Sequence, residues 1–156
     1  MDILNIGDKA PGFSMPTTQK GKEIELSDLK GKYVVLYFYP KDDTPGCTIE
    51  ANDFNNLKSE FEKLNSVIIG ISKDDLNSHD KFKQKYCLQF DLATDTSDTC
   101  EKYGVWVEKS MYGKKYMGIN RTTFLIDKEG NIVHIWPKVA VSGHAKEVLD
   151  KIKEIN

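Results

Sequence analysis

The chain lacks any apolar run approaching the roughly 18 to 20 residues that a membrane span needs. Its first eight residues, Met1 to Asp8, carry neither a basic n-region nor a long apolar h-region. A cytoplasmic protein without a membrane partner is expected. A basic stripe or arm is also missing: 22 Lys and Arg stand among 24 Asp and Glu, for a net charge of −2. That balance gives no footprint for nucleic acid. Cysteine is scarce, with Cys47, Cys87 and Cys100 far apart. An odd number at wide spacing suits free or catalytic thiols better than a secreted disulfide framework. There is no Cys-x-x-Cys, and His79, His134 and His144 are scattered, so no zinc, haem or other cofactor is expected. No repeat, low-complexity tract or shift of composition divides the sequence. Its 156 residues, 39% of them hydrophobic, suit one domain spanning residues 1–156, with a core that needs no staple.

What the sequence does have is concentrated between Tyr33 and Glu50. Tyr33 to Tyr39 is wholly apolar or aromatic and reads as a strand buried on both faces, as in a parallel sheet. Pro40 ends it. Asp42, Asp43 and Thr44 can cap a helix and Pro45 suits its first turn, so Cys47 falls among free backbone N–H groups at the positive end of the dipole. A thiol so placed leans toward thiolate.

Around this stretch the pattern alternates between strands and helices. Phe13 to Met15 reads as a short strand at the sheet's edge, Lys20 to Lys22 as a turn, Ile24 to Leu26 as a half-exposed strand and Ser27 to Leu29 as a short turn. The helix after Cys47 is expected to run to about Leu64, with Phe54, Leu57, Phe61 and Leu64 on its buried face. Val67 to Ser72 is a second buried strand, which completes a right-handed βαβ unit. Asn77 or Ser78 can cap the next helix, which ends near Cys87, and a strand around Phe90 to Leu92 follows. Ser97 or Asp98 opens a short helix holding Cys100 and Tyr103. Glu108 to Gly118 reads as an exposed loop whose lysines are solvated. Arg121 to Ile126 and Ile132 to Trp136 form an antiparallel hairpin, and a last helix runs from about His144 to Ile155.

Pro40-x-x-x-Thr44-x-x-Cys47, with Arg121 opening a distant strand, resembles the active-site pattern of the peroxiredoxins. Further matches are to the bacterioferritin comigratory protein, or peroxiredoxin Q, group: Gly7 to Pro11, Tyr39 to Glu50, Tyr103 to Trp106, Arg121 to Asp127, and Gly143 to Ala145. The resemblance spans nearly the whole chain. It implies an α/β thioredoxin fold, with a central mixed sheet and helices on both faces, and reduction of hydroperoxides by a thiol. Many members carry a resolving cysteine five residues after the reactive one, where this chain has Asn52.

The chemistry follows from the residue types. A thiolate attacks one peroxide oxygen, the other leaves as alkoxide or hydroxide, and a sulfenic acid remains. For any thiol, lowering the pKa from about 8.5 to roughly 6 raises the thiolate fraction at pH 7 about thirtyfold, and weaker nucleophilicity removes roughly tenfold of that gain. Fixed hydrogen-bond donors must therefore supply most of the rate. With Cys47 as nucleophile, the candidates are the Thr44 hydroxyl, the N–H groups of Gly46 and Cys47, and the Arg121 guanidinium. Pro40 is expected to shield the site from bulk water, and the resemblance gives Glu50 the role of holding Arg121. Taken alone, Thr44 reads equally as an N-cap, Arg121 as a surface ion-pair partner and Cys100 as core packing.

The expected partners are a hydroperoxide and a reductant that is thioredoxin, glutaredoxin or a small thiol, with the protein a monomer or weak dimer. A thiol-disulfide oxidoreductase would need the Cys-x-x-Cys that is absent. A redox sensor that forms mixed disulfides with partner proteins is the alternative function. For the resolving thiol, Cys87 is the candidate because it lies near a helix end beside Lys83 and Lys85. A one-cysteine route with an external thiol is preferred to it, and Cys100 is the remaining alternative.

Overall fold

The computed structural model describes residues 3–156. In chain order the elements are β1 (Ser14–Pro16), β2 (Glu23–Glu25), a 3₁₀ turn (Leu26–Leu29), β3 (Tyr33–Phe38), α1 (Pro45–Asn56) and α2 (Lys58–Lys63). There follow β4 (Ser66–Ser72), α3 (Leu76–Tyr86), β5 (Asp91–Thr94), α4 (Thr99–Lys102), β6 (Trp106–Met111) and β7 (Lys114–Ile119). The chain ends with β8 (Thr122–Ile126), β9 (Ile132–Trp136) and α5 (His144–Ile155).

Because β3 has no polar face, it takes the centre of a five-stranded sheet of order β5-β4-β3-β8-β9. It pairs parallel with β4 and antiparallel with β8, so the sheet is mixed, as the resemblance implies. Its side chains alternate between two cores. Val35 and Tyr37 join Tyr39, Cys47, Phe54, Phe61, Phe82 and Val148 on the face covered by α1, α2, α3 and α5. Val34, Leu36 and Phe38 join Cys100 and Tyr103 of the α4 region, Phe13, Met15 and Ile119 on the other. Helices thus lie on both faces, the second covered by the short α4 and the 3₁₀ turn, whose Leu26 and Leu29 pack against that core.

Gly70 of β4 sits opposite Tyr37. A Cβ there would lie 2.7 Å from both Cζ and the hydroxyl of Tyr37, so the glycine is what admits the tyrosine ring. The ring then stacks on Phe54 of α1 at 4.8 Å. This fixes the helix carrying Cys47 against the central strand.

Several sequence expectations need correction. The helix expected to reach Leu64 breaks at Leu57, whose φ and ψ of −101° and 5° divide α1 from α2. Phe54 and Phe61 are nevertheless buried on one core, with Leu57 and Leu64 packed against it, so the apolar periodicity holds across the break. The cap of α3 is Asp75, which accepts from the Ser78 N–H at 2.8 Å, and neither Asn77 nor Ser78. The segment from Glu108 to Gly118 is no loop: β6 and β7 form an antiparallel ribbon. Tyr112 and Gly113 turn it with φ of 53° and 79°, which suits a two-residue hairpin with both central residues left-handed. Most of its side chains are exposed, and that polarity hid the strands. At the N-terminus, β1 and β2 make a separate ribbon, joined to the edge of the main sheet by a bridge between Thr17 and Ala93.

Candidate active site

The carboxyl end of β3 and the amino end of α1 bring the site together. Thr44 is the N-cap in extended conformation, Pro45 opens the helix, and the first helical bond runs from the Thr48 N–H to the Thr44 carbonyl at 2.8 Å. The N–H groups of Gly46 and Cys47 therefore have no partner within the helix. Cys47 is 1% exposed.

Arg121, just before β8, arrives from the antiparallel neighbour of β3. Its Nη2 donates to Cys47 Sγ at 3.2 Å and its Nη1 to Glu50 Oε1 at 2.7 Å. Gly46 makes room for this: a Cβ there would stand 3.2 Å from Nη2. Burial pushes the Glu50 carboxyl up to about 7, and the neighbouring Arg121 only partly offsets it. Burial also works against the charge on Arg121, but Glu50 and Cys47 outweigh it and hold the guanidinium above its ordinary value. Glu50 is thus the member of the pair that gives up its charge on acidification. Its second oxygen is buried without a partner among the described residues.

The Thr44 hydroxyl points elsewhere than expected. It donates to the Lys41 carbonyl at 2.9 Å and neither caps the helix nor reaches Cys47. With its proton committed to Lys41, its oxygen keeps lone pairs that can accept from the O–H of an incoming peroxide. Pro40 lies exposed on the loop that follows β3.

That loop is held by α3, through contacts the sequence did not announce. Asp42 accepts from the Tyr39 hydroxyl at 2.6 Å and the Ser78 hydroxyl at 2.7 Å, and lies 2.7 Å from His79 Nδ1. The Asp42 N–H in turn donates to Asp74 at 2.8 Å. Asp43, at φ 56°, accepts from Lys85 at 2.7 Å and from the Tyr86 hydroxyl at 2.8 Å. Under Arg121 on β8, Thr123 Oγ1 is 2.8 Å from His144 Nε2, and burial, with help from Arg121, lowers that imidazole to about 4.

The other thiols are placed apart. Cys87 is exposed in left-handed conformation at the end of α3. Lys83 and Lys85, expected to favour its thiolate, are instead paired with Asp91 and Asp43. The Cys87 carbonyl accepts from the Asn55 side chain at 3.1 Å, and Asn55 stands eight residues beyond Cys47 on α1, about 12 Å along the axis. A disulfide needs Cα atoms within about 7 Å. Cys100 is buried in the core on the opposite face of the sheet, and burial with Asp95 raises its thiol far above the usual range.

Residues 6–135 match the AhpC/TSA family. The chain is 48% identical over 154 residues to Peroxiredoxin Bcp of Bacillus subtilis, covering 98% of each protein. Its fold follows the crystal structure of Xylella fastidiosa PrxQ, a cysteine-to-serine mutant, with a TM-score of 0.92 and 39% identity over 99% of this chain and 98% of that one. A bacterioferritin comigratory protein of Xanthomonas campestris, whose structures were determined with respect to its alkyl peroxide reduction activity, gives a TM-score of 0.86 at 43% identity, over 91% of this chain and 90% of that one. Among the described residues no helix is long and apolar enough to cross a membrane.

Proposed function

The chain belongs to the AhpC/TSA family as a thioredoxin-fold peroxiredoxin of the Bcp group, and on that premise we propose which residues of this chain carry the thiol peroxidase reaction. Cys47 is the nucleophile: its thiolate attacks the terminal oxygen of the hydroperoxide, an S–O bond forms as the O–O bond breaks, and the departing alkoxide takes a proton. Arg121 donates to sulfur and, as the reaction advances, to the two oxygens between which charge shifts. The N–H groups of Gly46 and Cys47 aim at the same place, and Thr44 accepts from the peroxide O–H. Glu50 holds Arg121, and Pro40 covers the loop on its solvent side. The observation that carries this reading is Arg121 bridging Cys47 at 3.2 Å and Glu50 at 2.7 Å at a helix N-terminus.

For the sulfenic acid on Cys47, the favoured resolution is attack by an external thiol, from thioredoxin, glutaredoxin or a small thiol, in a cytoplasmic monomer or weak dimer acting as one domain. The Asn55 tether, which sets Cys87 beside the far end of α1, supports this route. Cys87 serves as the resolving thiol only if α3 or α1 unwinds.

The test is intact mass spectrometry and disulfide mapping after one equivalent of peroxide. The reading expects one added oxygen, lost in Cys47→Ser, and no internal disulfide. A Cys47–Cys87 peptide would overturn the one-cysteine route, and undiminished reaction of Cys47→Ser with peroxide would overturn the nucleophile. Sustained turnover with thioredoxin separates an enzyme from a sensor that stops at a mixed disulfide.

A further inference from the structure

The β6–β7 ribbon brings a second cation toward the reactive thiol. Lys109 of β6 stands opposite Tyr116, on the ribbon face that also holds Val107, Met111 and Gly118. Gly118 has no side chain to fill that face, and the stem of Lys109 takes the space: a Cβ on Gly118 would lie 3.2 Å from Lys109 Cδ and 3.5 Å from Cε. The stem therefore points along β7 toward its end, where Arg121 follows Gly118 by three residues, roughly 10 Å of extended chain. At that range the charges act on one another. Burial and Arg121 both lower Lys109, while Cys47 opposes them.

Lys109 is half-buried, and among the described residues it has no carboxylate at ion-pair distance. Its ribbon neighbours Glu108 and Lys115 pair with each other at 3.6 Å, and Arg121 is already engaged by Glu50 and Cys47. A partly buried lysine with no ion-pair partner is stabilised by an anion that reaches it.

Resting on the peroxidase reading above, we infer that Lys109 is a specificity-determining residue that selects hydroperoxides bearing a carboxylate near the peroxide group. The ammonium takes the carboxylate while Cys47 attacks the peroxide oxygen. A lysine that merely raised the potential at the thiolate would speed all hydroperoxides alike, so the distinguishing readout is a ratio.

Fully reduced enzyme is mixed with 4-hydroperoxy-4-methylpentanoate or with its methyl ester, and oxidation is followed in a single turnover so that no reductant enters. The acid should react about tenfold faster than the ester. The ratio should fall toward 1 in Lys109→Gln, survive in Lys109→Arg, and shrink in the wild type at 1 M salt, where the screening length is about 3 Å. A ratio near 1 in the wild type, or an unchanged ratio in Lys109→Gln, overturns the selectivity while leaving the peroxidase reading intact. No reaction with either probe overturns both.

Discussion

Replacing Glu50 with glutamine keeps the side chain's shape and an acceptor for Arg121 but deletes a buried acid. Burial raises that acid from an ordinary 4.5 to about 7 against the pull of Arg121. Because the folded value is the higher one, the stability from holding Glu50 neutral is fully present below pH 4.5 and is lost as pH rises through 7. Over those 2.5 pH units the loss is about 3–4 kcal/mol, at roughly 1.4 kcal/mol per unit. His144 has the opposite sign. Burial lowers it from 6.5 to about 4, so its contribution is present above pH 6.5 and is lost as pH falls through 4. From pH 4.5 to 6.5 the two slopes nearly cancel in the wild type. Glu50→Gln removes one of them. Urea unfolding of the reduced protein at half-unit pH steps should show the stability difference, variant minus wild type, climbing by roughly 1.4 kcal/mol per unit between pH 4.5 and 7 and flat outside. Parallel curves across that window would refute the claim that burial outweighs the arginine at Glu50.

The remaining predictions concern neighbouring residues. Arg121→Ala should slow oxidation of Cys47 at least tenfold, since one donor to the developing charge is typically worth ~2.7–4 kcal/mol; Thr44→Val, which removes the acceptor for the peroxide O–H, should slow it about tenfold, Thr44→Ser should restore most of that loss, and a near wild-type rate makes the residue structural. Gly46→Ala should push Arg121 Nη2 from its place, 3.2 Å from the added methyl, and lower the single-turnover rate severalfold with little change in melting temperature. Gly70→Ala, with its methyl 2.7 Å from the Tyr37 ring, should cost about 1–3 kcal/mol in chemical denaturation and move the near-ultraviolet aromatic signal.

The sheet was legible because β3 advertises itself. An unbroken apolar run can only be central, and Tyr33 to Phe38 is buried throughout. The hairpin of β8 and β9 and the bounds of α5 followed from their turn residues and apolar spacing. The β6–β7 ribbon leaves no such mark, since five lysines, glutamates and serines in its strands carry no alternating burial, and a ribbon outside the core needs none. At the site, the strand-to-helix pattern pointed to Cys47 and the family pattern to Arg121 and Glu50, and the three lie within hydrogen-bond reach of one another through Arg121. The direction of the Thr44 hydroxyl was not, because a cap and a turn to Lys41 demand the same residue type. Nor could spacing announce that Lys85 and Tyr86 would grasp Asp43 from 42 and 43 residues away.

That grasp makes the loop before Cys47 and α3 a single cooperative unit. The first turn of α3 holds Asp42 through Ser78 and His79, and its last turn holds Asp43 through Lys85 and Tyr86. Held at both ends of the helix, the loop's amides should exchange with solvent more slowly when α3 is intact than when it opens. Chemistry at the exposed Cys87, the residue that caps the end of that helix, would then be felt as a change in the lifetime of the closed loop some forty residues earlier.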